Sequence, residues 1–280
     1  MTSSSSRAAT HSVHQRQFSA FGLTLGLRGN HDVALEQAVL RLDSLGWSAA
    51  QGGKIDVEFD LRACPHENST DQPASYELHC DGTLVRCSTD LAPLLDSFED
   101  HAKLLTAYRA EGRLFVHAGA VCWQGCGIVI PGCSRSGKTS LVRSLVEAGA
   151  QYYSDEFAVL DSQGRLHPYA LPLSIRGDET RPAFRTAVEA LGGRAGTLPV
   201  SVRLIVVTCY DRDAEWRPQS LSCGQALLSL MANTVAARRI PETAMATLRQ
   251  TVLGATAFQT LRGDARRVAA AVLAEADALR

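Results

Sequence analysis

The sequence predicts a mixed α/β (α+β) protein in two parts, and three observations carry that prediction. The first part holds an alternating apolar–polar run, Lys54–Leu61, and two short segments, Tyr76–Cys80 and Thr83–Cys87, that flank Asp81-Gly82; these are typical of a strand and a hairpin. The second part holds two apolar runs joined by Gln124-Gly125, followed by a glycine-rich loop and an amphipathic helix. The segment Cys223–Arg280 is predicted to be largely helical.

The chain divides into three segments by composition and pattern. Residues 1–17 are polar and serine-rich without periodicity, which predicts a disordered tail. Their arginine and serine content is also typical of transit peptides, but a frayed tail is the interpretation we favour. Residues 18–110 are predicted to form a small, mostly β N-terminal domain, with a helix near Val33–Leu42 and a linker helix over Leu91–Glu111. Residues 111–280 form the second domain.

Composition narrows the range of partners. The formal net charge is -1 and 20% of the residues are charged, so no strong field attracts nucleic acid or a membrane surface. No apolar run approaches the roughly 18 residues of a membrane-spanning helix. The eight cysteines form no C-x-x-C pair, and reduced thiols in a cytoplasmic protein are the expectation.

The glycine-rich loop, residues 132–139, reads G-C-S-R-S-G-K-T and matches the Walker A pattern of P-loop proteins. Gly132 and Gly137 let the backbone approach phosphate oxygens, and successive N–H groups bind them. Lys138 is predicted to reach the β- and γ-phosphates, and Thr139 to offer its hydroxyl to Mg²⁺. The predicted nucleotide-binding residues are Gly132, Cys133, Ser134, Arg135, Ser136, Gly137, Lys138, Thr139 and Ser140.

The context of the loop supports this interpretation. An apolar run, Cys126–Ile130, leads into the loop, and a helix over Lys138–Ala148 follows it. The apolar run is the second arm of a hairpin, whereas most P-loop proteins use parallel crossovers here. The next acidic pair, Asp155-Glu156, comes soon after the helix.

With these features, the second domain resembles the C-terminal fold of HPr kinase/phosphorylase, and especially the HPr-kinase-related serine kinases of bacterial peptide-modification and lasso-peptide clusters. The resemblance implies a P-loop kinase domain of the HPr kinase/phosphoenolpyruvate carboxykinase type. It does not extend to the N-terminal domain. The matching segments are Val116–Val121, Gly132–Thr139, Ser154–Ala158 and Pro172–Arg176.

The resemblance implies a role for each matching side chain. Asp155 matches the acid that assists the attacking hydroxyl, and Glu156 matches the acid that helps to hold magnesium. HPr kinase itself has Asp-Asp there, so Asp-Glu departs from that pattern. His117 matches a histidine near the phosphates, and Arg176 is placed to meet phosphate oxygens. The implied catalytic residues are Asp155, His117, Lys138 and Arg176, and the implied metal ligands are Thr139, Asp155 and Glu156.

The residues alone lead to the same chemistry. Phosphoryl transfer depends on charge neutralisation and in-line positioning, which Lys138 and a metal ion supply. A carboxylate such as Asp155 can orient an acceptor hydroxyl and take its proton. Asp211, beyond the apolar run Leu204–Thr208, is the rival metal-site acid and ranks below Asp155.

The expected function is therefore an ATP-dependent (or GTP-dependent) and Mg²⁺-dependent kinase that phosphorylates a hydroxyl, most readily a serine, on a small protein or peptide. One alternative is phosphoryl transfer to a small molecule, as in phosphoenolpyruvate carboxykinase. Another is a nucleotide-sensing module without catalysis. The resemblance also favours a homo-oligomer. It does not carry over the phosphorylase activity.

Overall fold

The computed structural model describes residues 14–66, 69–133, 136–175 and 184–279. The chain folds as two compact units, Met1–Glu111 and Gly112–Arg280. Both units combine sheets with helices, which confirms the mixed α/β class. Within the described ranges, no helix is both long and apolar enough to cross a membrane. All eight cysteines carry free thiols.

The N-terminal unit is a six-stranded sheet with two helices. The sheet has the order β3-β1-β2-β4-β5-β6, and only β2 and β4 run parallel. Phe59 on the sheet meets Phe98 on the second helix edge-to-face in the core. The strands are β1 (His14–Ala20), β2 (Leu23–Gly29), β3 (Ser48–Ala50), β4 (Val57–His66), β5 (Ser69–Cys80) and β6 (Thr83–Ser88), and the helices are α1 (Asp32–Ser44) and α2 (Leu91–Arg109).

Two expectations for this unit have different outcomes. The hairpin at Asp81-Gly82 is confirmed: φ is positive at both residues, 47° and 78°, as a type I′ turn requires. The tail expected over residues 1–17 was drawn too long, because β1 already begins at His14. Pairing with β2 and β3 fixes this segment, and its polar side chains give no sign of those partners. Residues 1–13 lie outside the described ranges.

The C-terminal unit is built on an eight-stranded sheet, with the order β11-β10-β7-β8-β14-β16-β15 and β9 paired to β7. Strand β11 also pairs with β14, so β7, β8, β14, β11 and β10 close into a ring. The strands are β7 (Leu114–Trp123), β8 (Cys126–Pro131), β9 (Gln151–Ser154), β10 (Phe157–Leu160), β11 (Arg165–His167), β12 (Leu173–Ile175), β13 (Phe184–Thr186), β14 (Val200–Tyr210), β15 (Gln219–Ser220) and β16 (Thr256–Arg262); β12 and β13 form a separate pair.

Helices cover both faces of this sheet. They are α3 (Lys138–Glu147), α4 (Cys223–Ala232), α5 (Pro241–Leu253) and α6 (Ala265–Asp277), with a 3₁₀ turn at Val188–Leu191. Alternate residues of β8 enter opposite cores: Ile128 and Ile130 pack with α3 and α6, and Val129 packs with α4 and α5. Strand β8 is therefore buried throughout, which explains its continuous apolar sequence.

The expected hairpin and helix flank the loop as predicted. Strands β7 and β8 pair antiparallel, and Gln124 and Gly125 have positive φ, 49° and 86°. The C-terminal tail is largely helical, as predicted, but β16 interrupts the helices and runs parallel to β14. At its end this strand turns Arg262 inward, 1% exposed, and Leu261 outward, 52% exposed. A hydrophobic pattern therefore could not reveal it.

Candidate functional site

The glycine-rich loop joins the buried end of β8 to the first turn of α3. Gly137 is the N-cap of α3 with φ 86° and ψ 14°, a left-handed conformation that glycine adopts without strain. A Cβ at Gly132 would lie 2.8 Å from the Ser136 hydroxyl, so the loop closes only with glycine there. The first turn of α3, which begins at Lys138, leaves backbone N–H groups without intrahelical acceptors, and this is an anion-binding arrangement.

Lys138 is buried at the start of α3, with 7% of its surface exposed. Its Nζ donates hydrogen bonds to the carbonyls of Gly132 at 2.7 Å and Cys133 at 2.9 Å. The ammonium group is therefore held under the loop, where a phosphate chain in the loop would meet it. Close packing against β7 supports this position, because Gly119 leaves room for Val142 of α3 and for the Lys138 stem.

Strand pairing brings the acidic turn to the loop. Strands β9 and β10 pair with β7 on either side of Asp155 and Glu156, with Ala120 opposite Ser154 and His117 opposite Phe157. The carbonyl of Glu156 accepts from the amide of Ala118 at 3.1 Å. Since Ala118 also pairs with Pro131, the turn and the loop lie at the same end of β7 and β8.

The Asp155 carboxylate is buried among polar groups. It accepts a hydrogen bond from the Tyr152 hydroxyl at 2.9 Å, and the Thr139 hydroxyl and the Ser174 backbone lie close enough to it to lower its pKa. Burial raises the pKa of Asp155, and these donors oppose the rise without cancelling it. The Tyr152 hydroxyl also lies 2.8 Å from the Leu171 carbonyl, which fixes its orientation. The structure therefore joins the first residue of the acidic pair to the Walker A threonine.

His117 lies on β7 beside the start of the loop. Its carbonyl is 3.4 Å from the Gly132 amide, and its ring is tilted against Phe157 at 6.1 Å between centroids. Burial lowers the pKa of His117 to about 4, and the charge of Lys138 adds to the effect. A ring with this pKa is neutral at pH 7 and can accept or donate a hydrogen bond without adding charge.

Other residues named from the sequence have varied positions. Glu156 is half-buried in the same turn as Asp155, and its amide donates to the Ser154 hydroxyl at 3.2 Å. Cys133 and Ser140 are exposed at the two ends of the loop. Predictions for Ser134, Arg135 and Arg176 concern positions outside the described ranges.

The rival acid, Asp211, occupies a turn after β14. Its amide donates to the Arg262 carbonyl at 2.9 Å, and its exposed carboxylate accepts from the Asp213 amide at 3.3 Å. These contacts explain the presence of an aspartate after β14 without a metal ion, because Asp side chains commonly accept hydrogen bonds from backbone amides in turns.

Sequence reasoning missed Arg262, which lies at the end of β16. Its Nη2 donates to the Gly137 carbonyl at 2.6 Å and its Nη1 to the Gly263 carbonyl at 3.1 Å. The neighbouring strand adds a further link to the loop, since the Tyr210 amide donates to the Ser136 carbonyl at 3.1 Å. No local motif marks these residues, because strand pairing brings them to the loop from far along the chain.

The donors at the loop fit a magnesium ion that is shared with phosphates. In the described part of the chain, no three His, Cys, Asp or Glu side chains are grouped to hold a metal by themselves. Magnesium in nucleotide sites usually takes one or two carboxylates and completes its shell with phosphate oxygens and water. The Thr139 hydroxyl and the Asp155 carboxylate form such a partial set.

A shallow cavity of about 610 Å³ lies elsewhere, in the N-terminal unit, along β1 and β3. It is lined by backbone and side chains of Gln15–Phe18 and Ala49–Gly52 together with Val39. We assign the candidate site to the loop, because that is where a buried lysine, a buried carboxylate and a helix N-terminus meet.

No protein-family model matches this chain, and no match was found among curated proteins.

Proposed function

We propose that this protein is a magnesium-dependent kinase that binds ATP or GTP at residues 132–139 and transfers the γ-phosphoryl group to a hydroxyl, a serine of a small protein or peptide. The observation that carries the proposal is the position of the buried Asp155 carboxylate near the Thr139 hydroxyl, in the first turn of α3 and next to the buried Lys138. It brings together the two oxygen donors that a nucleotide-bound magnesium ion would need at a helix N-terminus.

Each side chain has a defined task in this proposal. The loop amides and Lys138 hold the phosphates and neutralise charge that develops on the transferred group. Thr139 and Asp155, with Glu156 beside them, would hold the magnesium ion, which would supply positive charge to the phosphates. Asp155 also orients the acceptor hydroxyl and accepts its proton. The neutral ring of His117 lies near Lys138 and offers a hydrogen bond to the phosphates or the acceptor.

A protein or peptide acceptor is proposed from the resemblance to the HPr-kinase-related serine kinases. Transfer to a small molecule and nucleotide sensing without transfer are the competing functions. They differ from the proposal in what becomes phosphorylated, so one labelling experiment separates all three.

The experiment incubates the protein with γ-labelled ATP or GTP, magnesium and a lysate of the host organism. Lys138→Ala and Asp155→Asn remove a phosphate ligand and the proposed base. Asp211→Asn is the matched control, because it neutralises an exposed acid at a neighbouring strand end. The proposal expects label on a discrete protein or peptide with wild type and Asp211→Asn, and loss of at least tenfold with the other two variants.

Three other outcomes contradict the proposal. Label found only on small molecules supports the metabolite kinase. Tight nucleotide binding with no transferred label supports the sensor. Full transfer by Asp155→Asn removes the role assigned to that carboxylate.

A further inference from the structure

Arg262 is a buried cation directly behind the phosphate loop. It lies at the last position of β16, opposite Tyr210 of β14, and is 1% exposed. Its Nη2 contact with the Gly137 carbonyl, 2.6 Å, is made at the residue that caps α3. The amide of Leu141 donates to the same carbonyl at 3.2 Å, so the guanidinium shares the acceptor of the first helical hydrogen bond.

The charge of this guanidinium has no anionic partner. In the described ranges no carboxylate lies within 4 Å of it, and its Nε is buried without a hydrogen-bond acceptor. Asp264 is two residues away, but its carboxylate caps α6 through the amides of Arg266 and Arg267. Besides the two backbone carbonyls, the ring of Tyr210 lies 5.7 Å from the guanidinium carbon. A buried charge without a counter-ion is unfavourable.

The groups around Arg262 add further positive charge and further polar atoms without hydrogen bonds. The N-terminus of α3 carries a partial positive charge, and Lys138 is buried in its first turn. Two more buried polar atoms near the loop, the hydroxyls of Ser136 and Thr208, also have no hydrogen-bond partner among the described residues. Positive charge and unsatisfied polar groups thus lie at the loop and at the strand end that bonds to it, next to a helix N-terminus that suits an anion.

We propose that Arg262 is a positioning residue of the phosphate site, which fixes the Gly137 carbonyl and supplies positive charge that a polyphosphate in the loop neutralises. This inference rests on the proposed nucleotide binding. Arg262 does not touch the ligand. It acts through the capping turn of α3 and through the electrostatic potential at the loop.

A purely structural role of Arg262 predicts a different result. If Arg262 only joined β16 to the loop, its loss would lower stability with and without ligand alike. If it is an uncompensated charge, a nonpolar replacement such as Arg262→Met leaves the free protein as stable as wild type, or more stable, because desolvated charges are often replaced by apolar groups without loss. Arg262→Met then weakens only the binding of polyphosphate.

The test compares wild type, Arg262→Met and Arg262→Lys in the full chain. Arg203→Met is the matched control, because Arg203 is an exposed arginine of β14 that also donates to a backbone carbonyl, that of Leu279. Dissociation constants are measured for tripolyphosphate and for magnesium-ATP, and the unfolding midpoint is measured without ligand. Tripolyphosphate isolates the charge effect from any contact with the nucleoside.

We expect Arg262→Met to bind both ligands more weakly by about tenfold, the order of effect of removing one buried positive charge that lies near the phosphates without touching them. Its midpoint without ligand should not fall, Arg262→Lys should recover part of the affinity, and Arg203→Met should match wild type. Equal affinity in wild type and Arg262→Met overturns this inference alone. If wild type binds neither ligand, both this inference and the proposed function are overturned.

Arg262→Gln is the second neutral variant, in case Arg262→Met does not fold. The inference then requires Arg262→Lys to bind tripolyphosphate more tightly than Arg262→Gln at equal unfolding midpoints. Equal binding by these two variants overturns it.

Discussion

The pKa of His117 leads to a quantitative prediction about acid sensitivity. The ring packs against Phe157, and burial together with the charge of Lys138 lowers its pKa from 6.5 to about 4 on folding. The unfolded chain therefore binds one more proton than the folded chain between these two pH values. Since stability rises with pH wherever the unfolded state binds more protons, this histidine stabilises the fold above pH 6.5 and destabilises it as the pH falls toward 4.

The size of the effect follows from the two pKa values. Linkage gives a loss of about 2 kcal/mol in the free energy of unfolding by pH 5 relative to pH 7. Asp155 acts in the opposite direction, because a raised carboxyl pKa favours the folded state as the pH falls. Comparing variants that differ only at His117 removes the contribution of Asp155 and of every other group.

The assay is urea unfolding at pH 7, 6 and 5, followed by fluorescence of Trp123 and Trp216 in the C-terminal unit. His117→Gln should lose about 2 kcal/mol less than wild type between pH 7 and pH 5. His101→Gln, at an exposed position of α2, should follow wild type. Parallel pH profiles for wild type and His117→Gln, or an imidazole that titrates above pH 6 by NMR, would refute the reasoning.

Three further predictions concern other groups of the C-terminal unit. Asp161→Asn should lower the free energy of unfolding by about 2 kcal/mol at pH 7, because its hydrogen-bond partners hold the pKa of that buried carboxyl at about 2. The difference between wild type and Asp161→Asn should shrink in denaturation curves measured below pH 4, and it should vanish as the pH falls through 2. Gly119→Ala should lower the stability measured by thermal unfolding by roughly 1–3 kcal/mol, because the new Cβ would lie 2.5 Å from Val142. Adding Val142→Ala should recover part of that stability. A double variant as unstable as Gly119→Ala alone would argue against the contact. Tyr152→Phe should destabilise the protein by roughly 1–3 kcal/mol in urea and reduce phosphoryl transfer, because Asp155 loses a buried donor; unchanged stability and transfer would contradict this role.

Local features of the site were predictable from the sequence. Gly125, between two apolar runs, adopts positive φ without strain, so the β7–β8 hairpin could be located although Gln124 is not a usual residue for its position. The Walker A pattern fixed the start of α3 at Lys138, because glycine before it supplies the left-handed cap. Asp155 could be named because it follows closely in the chain.

Features that depend on long-range pairing were not predictable. Strand β16 turns its apolar Leu261 to solvent and its Arg262 to the interior, which reverses the pattern that identifies strands. Arg262 reaches Gly137 across 125 positions of sequence, so no window of residues could connect them. The start of β1 at His14 was missed for the same reason, since its neighbours β2 and β3 determine it.

The closed ring of β7, β8, β14, β11 and β10 has a consequence for the order of folding. The β7–β8 hairpin and α3 form from neighbouring residues and can assemble early. Closure of the ring has to wait for β14, which brings together segments far apart in sequence and carries a higher entropic cost. The contacts of Tyr210 and Arg262 with the glycine-rich loop depend on this step, so these contacts form late in folding, after the strand and helix that flank the loop.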